Sequence, residues 1–232
     1  MEPRAEGADA RALEEHLQAL KSLRGPGRPK PPRLAEVKAW QAARLARTYA
    51  DLASQSRYRA ATQFFLDDLY GPKDFSSRDA ELLRIVPVMA RVLPRSAVET
   101  ASLAIELEAL SEALDHALAE ALAAGPLDED RYAAAYRAST TREERARQVD
   151  LIEAVGHRLD TLVRKPFVAA TLRLMRKPAH LAGLGDLQDF LEDGYEAFRT
   201  MDGSSEFLAV LRQRETQILS RLFSGASDPF SV

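Results

Sequence analysis

Along most of the chain, apolar residues recur at spacings of three and four, the period of a helix buried along one face. Leu13, Leu17 and Leu20 stand at i, i+4 and i+7 and predict one short amphipathic helix near the start. From Arg24 to Arg33 the pattern lapses into Arg-Gly-Pro-Gly-Arg-Pro-Lys-Pro-Pro-Arg. Four prolines in these ten residues predict an extended, semi-rigid connector, because proline removes donors and fixes φ. A long apolar-periodic stretch then runs from about Leu34 to Tyr70, with a break expected near Ser54-Gln55-Ser56 and a stop at Gly71-Pro72.

Ser76 or Ser77 can cap the next helix, which runs to Leu93 with a kink at Pro87. Ser96-Ala-Val-Glu99 has the form of a capping box, opening a helix to about Ala124 that Gly125-Pro126 ends. Asp128 caps a short helix carrying Tyr132 and Tyr136. Thr140-Thr-Arg-Glu143 reads as a second capping box, starting a helix that ends before Pro166, and a further short helix ends before Pro178. Leu184, Leu187, Leu191, Phe198 and Met201 share one stripe, and Gly194 on that stripe would let a neighbour approach closely. Asp202-Gly203 ends this helix, and Ser204 or Ser205 opens the last one, which runs through Phe223.

No alternating strand pattern and no internal repeat occur, so the fold class is all-α, a helical bundle of about seven to nine helices. The expected organisation is an N-terminal appendage at 1–33 (the short helix and a mobile Pro/Arg-rich linker), a single helical domain at 34–225 and a tail at 226–232. Composition strengthens the helical reading: Ala occurs 39 times against 24 for Val, Ile and Thr together, and Ala loses least on entering a helix.

Charge and composition then narrow the function classes. With 32 Lys plus Arg against 35 Asp plus Glu, the net charge of −3 argues against a protein that coats nucleic acid or anionic membrane. The absence of Cys excludes disulfides, Cys-ligated zinc, iron–sulfur clusters and thiol catalysis. The polar, acidic Met1 to Ala10 holds no signal-peptide core, and Ile85 to Ala90 is too short to span a bilayer, so a cytoplasmic protein is expected.

Phe64-Phe65-Leu66-Asp67-Asp68-Leu69-Tyr70, followed by Gly71-Pro72-Lys73-Asp74-Phe75, resembles the signature of a bacterial family named for its motif, FFLEELY. Leu187-Gln-Asp-Phe-Leu-Glu192 and Arg214-Glu215 are similar to that family too, so the resemblance covers most of the chain after the linker. It implies bacterial provenance and a shared fold, and it implies no biochemical activity. Aspartates at Asp67 and Asp68 replace the two motif glutamates, one methylene shorter in reach.

Phe64 and Phe65 are expected in the core, with Tyr70 beside the turn; the competing reading is an acidic, aromatic-rimmed docking surface. If the 34–70 helix is continuous, Arg59, Gln63 and Asp67 prolong the line of Leu45, Tyr49 and Leu52. Glu215 lies between Leu208, Leu211, Ile218 and Leu222, and Asp79 beside Leu82, Val86 and Leu93. Arg59, Gln63, Asp67, Tyr70, Asp79 and Glu215 are therefore candidates for a polar pocket between helices, or for a structural network that fixes register.

No cofactor and no metal is expected. A di-iron bundle wants Glu-x-x-His pairs, and none occurs. Glu112-x-x-x-His116 and Glu153-x-x-x-His157 lie opposite the apolar stripes and predict solvated pairs on outer faces. Gly-x-Ser-x-Gly, Walker and Rossmann patterns are absent too.

Three functions fit these residues. The first is a non-catalytic adaptor or regulator with an unknown protein partner, docking near Asp68, Lys73 and Asp74 and needing no deep pocket. The second is a small-molecule-binding protein or enzyme using the polar cluster. The third is weak DNA contact through Arg28 and Lys30, because Gly27-Arg28-Pro29-Lys30 resembles the core of an AT-hook, with Pro26 where a further Arg is expected. A monomer or small homo-oligomer is expected in each case.

Overall fold

The computed structural model describes residues 7–24, 29–69, 81, 84, 85 and 95–232. Among them are ten α-helices and no strand. These are α1 (Gly7–Arg24), α2 (Leu34–Thr48), α3 (Ala50–Ser54), α4 (Arg59–Phe64), α5 (Arg95–Ala121), α6 (Glu129–Ser139), α7 (Arg142–Val163), α8 (Pro166–Leu181), α9 (Gly185–Met201) and α10 (Ser205–Ser224). A π-helical turn, Phe65–Leu69, continues α4. The protein is thus an all-α helical bundle. The expected helix from Ser76 or Ser77 to Leu93, with its kink at Pro87, falls almost wholly outside the described residues.

Helix α5 organises the bundle because it has no wholly solvated face. Its buried residues include Val98, Ile105, Leu107, Glu112, Leu114, His116 and Leu118, which together circle the helix. Leu13, Leu17 and Leu20 of α1 pack on Val98, Ile105 and Ala109 along one side. Residues 7–24, which the sequence assigns to an appendage, therefore form a helix that buries Leu13, Leu17 and Leu20 in the bundle. On another side, Leu34 and Val37 of α2 join Leu118, Tyr132, Tyr136 and the Ile218–Leu222 face of α10. A third cluster unites Leu45, Tyr49, Leu52 and Phe65 with Phe198, Met201, Phe207, Leu208 and Leu211.

The 34–70 stretch breaks twice. Tyr49 leaves the helical region at φ −112° and ψ 17°, and Gln55 is extended at φ −81° and ψ 126°. Ser54 Oγ and Gln55 Nε2 both donate to the Asp51 carbonyl, drawing that oxygen out of a continuing ladder. This break coincides with the expected Ser54-Gln55-Ser56 site. It also resets the helical phase, so α4 does not prolong the stripe of α2.

Other boundaries differ by small, explicable amounts. Asp128 caps α6 as expected, accepting from the Arg131 amide. The second capping box is Thr141 with Glu144, one residue later than expected, and both of its reciprocal bonds form. Pro178 lies inside α8 rather than beyond its end, and Pro166 occupies the first turn, where a missing N–H leaves nothing unsatisfied. Leu187, Phe198 and Met201 of the α9 stripe are buried, whereas Leu191 is exposed. Asp202 closes α9 in the left-handed conformation at φ 49°.

Candidate functional site

Helix α8 carries the most unusual surface. Phe167, Ala170, Leu174, Pro178 and Leu181 follow i, i+3, i+7, i+11 and i+14, a single helical face. That face is turned outward: Phe167 is 51% exposed, Leu174 77% and Leu181 90%, with Met175 at its edge. The opposite face packs on α9, where Gln188 donates to the Leu172 carbonyl and Arg176 pairs with Glu192. No acidic residue occurs anywhere in α8. Arg173 and Lys177 flank the apolar stripe as exposed cations, and among the described residues neither makes an ion pair.

Beneath the surface the bundle holds two polar networks. In the first, Glu112 accepts from Arg24 Nε and from Lys38 Nζ, each at 2.8 Å, while Arg24 Nη1 also reaches Glu108 at 2.8 Å. Burial raises the Glu112 carboxyl, but the two cations outweigh it and hold the group below the usual carboxylate range. His116 Nε2 lies 3.3 Å from the same carboxylate. Glu112 and His116 are therefore buried, contrary to the solvated outer face expected for them, because α1 and α2 cover that side of α5. Glu153 and His157 do face outward; His157 is exposed and Glu153 pairs with Arg212.

In the second network Glu215 accepts from Arg44 Nη1 at 2.6 Å and from the Tyr49 hydroxyl at 2.7 Å. Burial opposes the Arg44 charge, yet Glu215 overrides it and raises the guanidinium further above its ordinary value. Burial, and then Glu215, likewise raise the Tyr49 hydroxyl. Close by, burial pushes the Asp115 carboxyl up to about 6, against the pull of Lys38 and Arg145. Gln41, Arg44, Asp115, Tyr132, Tyr136 and Arg145 contribute to the wall of a cavity of about 60 Å3 between α2, α5, α6, α7 and α10.

Among the described residues the members of the expected polar cluster do not come together. Arg59, Gln63 and Asp67 are exposed, and Arg59 donates to the carbonyls of Ala53 and Ser54, closing the end of α3. Of the described members Glu215 alone turns inward, toward Arg44 of α2 and Tyr49. The phase reset at Gln55 is the reason: the line from Tyr49 to Arg59 exists only for an unbroken helix. Tyr70 and Asp79 lie outside the described residues, as do Gly71, Pro72, Lys73, Asp74 and the side chains of Asp68 and Leu69. Within the motif Phe64 and Phe65 are buried and Leu66 is partly buried, consistent with the core reading. Of the linker cations, Arg28 lies outside the described residues and Lys30 is exposed.

Gln41, Arg44, Asp115 and Arg145 escape a reading that searches for acidic pairs. They are nonetheless legible as polar intrusions on apolar stripes: Gln41 and Arg44 on the line of Leu34 and Val37, Arg145 and Gln148 on that of Ile152, Val155 and Leu159. Among the described residues no group of three or more His, Cys, Asp or Glu is placed to hold a metal ion. Among them, too, no helix is long and apolar enough to cross a membrane.

The chain belongs to the family described as Domain of unknown function (DUF8198), whose model matches residues 24–229. No curated protein and no solved structure matches it.

Proposed function

We propose that the protein is a non-catalytic interaction module of the bacterial cytoplasm that docks an acidic amphipathic helix of a protein partner on α8. The observation that carries this reading is the outward apolar face of α8, with Leu174 77% and Leu181 90% exposed. Contiguous apolar surface of this kind marks interaction sites, and an amphipathic helix is read by anchors at i, i+3 or i+4 and i+7. Arg173 and Lys177 select the charge of the partner. A second copy of the chain would bring like charges together across such a contact, so self-association through α8 is disfavoured.

The test uses the full chain and a synthetic helical peptide with leucines at those spacings and glutamates between them. Its binding is followed by fluorescence anisotropy at rising salt. The expected result is salt-sensitive binding that Leu174→Asp abolishes and that Arg173→Glu with Lys177→Glu weakens, with no change in unfolding midpoint. Absence of peptide binding, or binding indifferent to Leu174→Asp, overturns the reading. Binding to anionic phospholipid vesicles in place of the peptide would replace it with a membrane-surface role, and dimerisation lost in Leu174→Asp would replace it with self-association.

A further inference from the structure

Arg145 is a buried cation that no carboxylate of the described residues touches directly; Asp115, on the same cavity wall, acts on it only at longer range. Only 4% of the residue is exposed. Nη1 donates to Gln148 Oε1 at 3.2 Å, and the guanidinium lies over the Tyr136 ring at 4.3 Å. Nε and Nη2 have no hydrogen-bond partner, and no carboxylate of the described residues pairs with the group. Arginine cannot shed its proton to escape the cost of burial, so two open N–H donors on a guanidinium at this depth call for a ligand.

Both unpartnered nitrogens belong to the same edge of the guanidinium, the fork that receives two oxygens of one planar anion. Arg44 is on the same cavity wall, and although Nη1 is committed to Glu215, its Nε is also buried without a partner. The cavity of about 60 Å3 is several times the ~10–15 Å3 of such space that admits one water, and it is far smaller than a nucleotide or sugar site. Water could satisfy the N–H groups one at a time, whereas a carboxylate fills both positions of the fork at once. The wall also holds Gln148 and Glu215, and an apolar part that includes Ile218, Leu219 and Leu222 and suits a short hydrocarbon tail.

We infer that this cavity is a binding site for a small monocarboxylate of the size of formate or acetate, gripped bidentately by Arg145 and contacted by Arg44 Nε. Asp115 and Glu215 line the same space; Glu215 is held by Arg44 and Tyr49, which leaves Asp115 as the carboxyl that competes with an incoming anion for Arg145. The inference does not depend on the α8 surface, and either can fail without the other.

The test is isothermal titration and thermal unfolding of the full chain with sodium formate and sodium acetate, with sodium chloride at equal ionic strength as the control. Saturable binding and stabilisation by the carboxylates beyond chloride are expected. Arg145→Met keeps the length of the side chain and removes the fork; it should weaken acetate binding at least about tenfold, ~1.4 kcal/mol. Asp115→Asn removes the competing negative charge and should tighten acetate binding, which keeps the test decisive if Arg145→Met fails to fold. Carboxylates that act no differently from chloride on both the native chain and Asp115→Asn overturn the inference. So does acetate binding that Arg145→Met leaves unchanged.

Discussion

Phe64 fills the space that a side chain at Gly194 would need: a β-carbon there would sit 2.8 Å from Phe64 Cζ. The ring cannot easily withdraw, because Phe190 lies tilted against it at 5.3 Å between centroids. Alanine would gain about 1 kcal/mol of helix propensity over glycine, while overpacking costs typically about 1–3 kcal/mol. Gly194→Ala is expected to destabilise by up to about 2 kcal/mol in urea unfolding, and Phe64→Leu in the same chain should recover part of that loss. A stabilised Gly194→Ala would show that the contact imposes no constraint.

Removing the charge of Glu215 should cost more than removing its hydrogen-bond donor. Glu215→Gln leaves Arg44 buried without a counter-charge, for a loss of about 3–5 kcal/mol. Tyr49→Phe deletes one bond to a charged group and should cost about 1.5–3 kcal/mol. Chemical denaturation of both variants gives the order, and a reversal would mean that Arg44 finds water or another partner.

Asp115 makes stability depend on pH with a defined sign. Its folded value of about 6 lies above the ordinary 3.8, so the folded state holds this proton more tightly than the unfolded state. The associated stabilisation is complete below the unfolded value and is lost as pH rises through the folded one. The groups facing Asp115 are Lys38 and Gln41 from α2, Arg145 from α7 and Glu112 from its own helix. Glu112 is shifted downward, so its contribution runs in the opposite sense and falls away only in more acidic solution. Relative to the native chain, Asp115→Asn should therefore gain stability between pH 5 and 7.5, measured by urea unfolding at both values.

Leu17 distinguishes a packed helix from a loose appendage. It is 4% exposed among Val98, Ile105 and Ala109. Leu17→Ala is expected to lower the unfolding free energy by about 2–5 kcal/mol, as a core leucine does. A change near zero would mean that α1 is detached in solution.

Much of the helical layout is legible from the sequence because local chemistry decides it. Gly125, Asp128, Asp202 and Gly203 punctuate the chain through caps and positive φ, which neighbours in sequence suffice to set. Gly194 is legible for the same reason, since a glycine on an apolar stripe has few other uses. The polar interior is less legible because it depends on tertiary cover. Glu112 and His116 look solvated on an isolated α5, and only the packing of α1 and α2 buries them. Arg59, Gln63 and Asp67 fail as pocket residues through one extended residue, Gln55, whose effect on phase no periodicity count includes. The exposed face of α8 has the spacing of a core stripe, so the pattern alone cannot say whether the bundle or a partner covers it.

Glu112 receives Arg24 from the end of α1 and Lys38 from α2, while Arg33 is bonded to Glu36 and to the Ala123 and Gly125 carbonyls. Both sides of the 25–33 connector are thus anchored to the bundle independently of the peptide bonds between them. Covalent continuity there should be dispensable: a chain beginning at Pro29, which keeps Arg33, and a separate peptide spanning α1 should recombine into one particle, making the protein divisible into two complementing fragments.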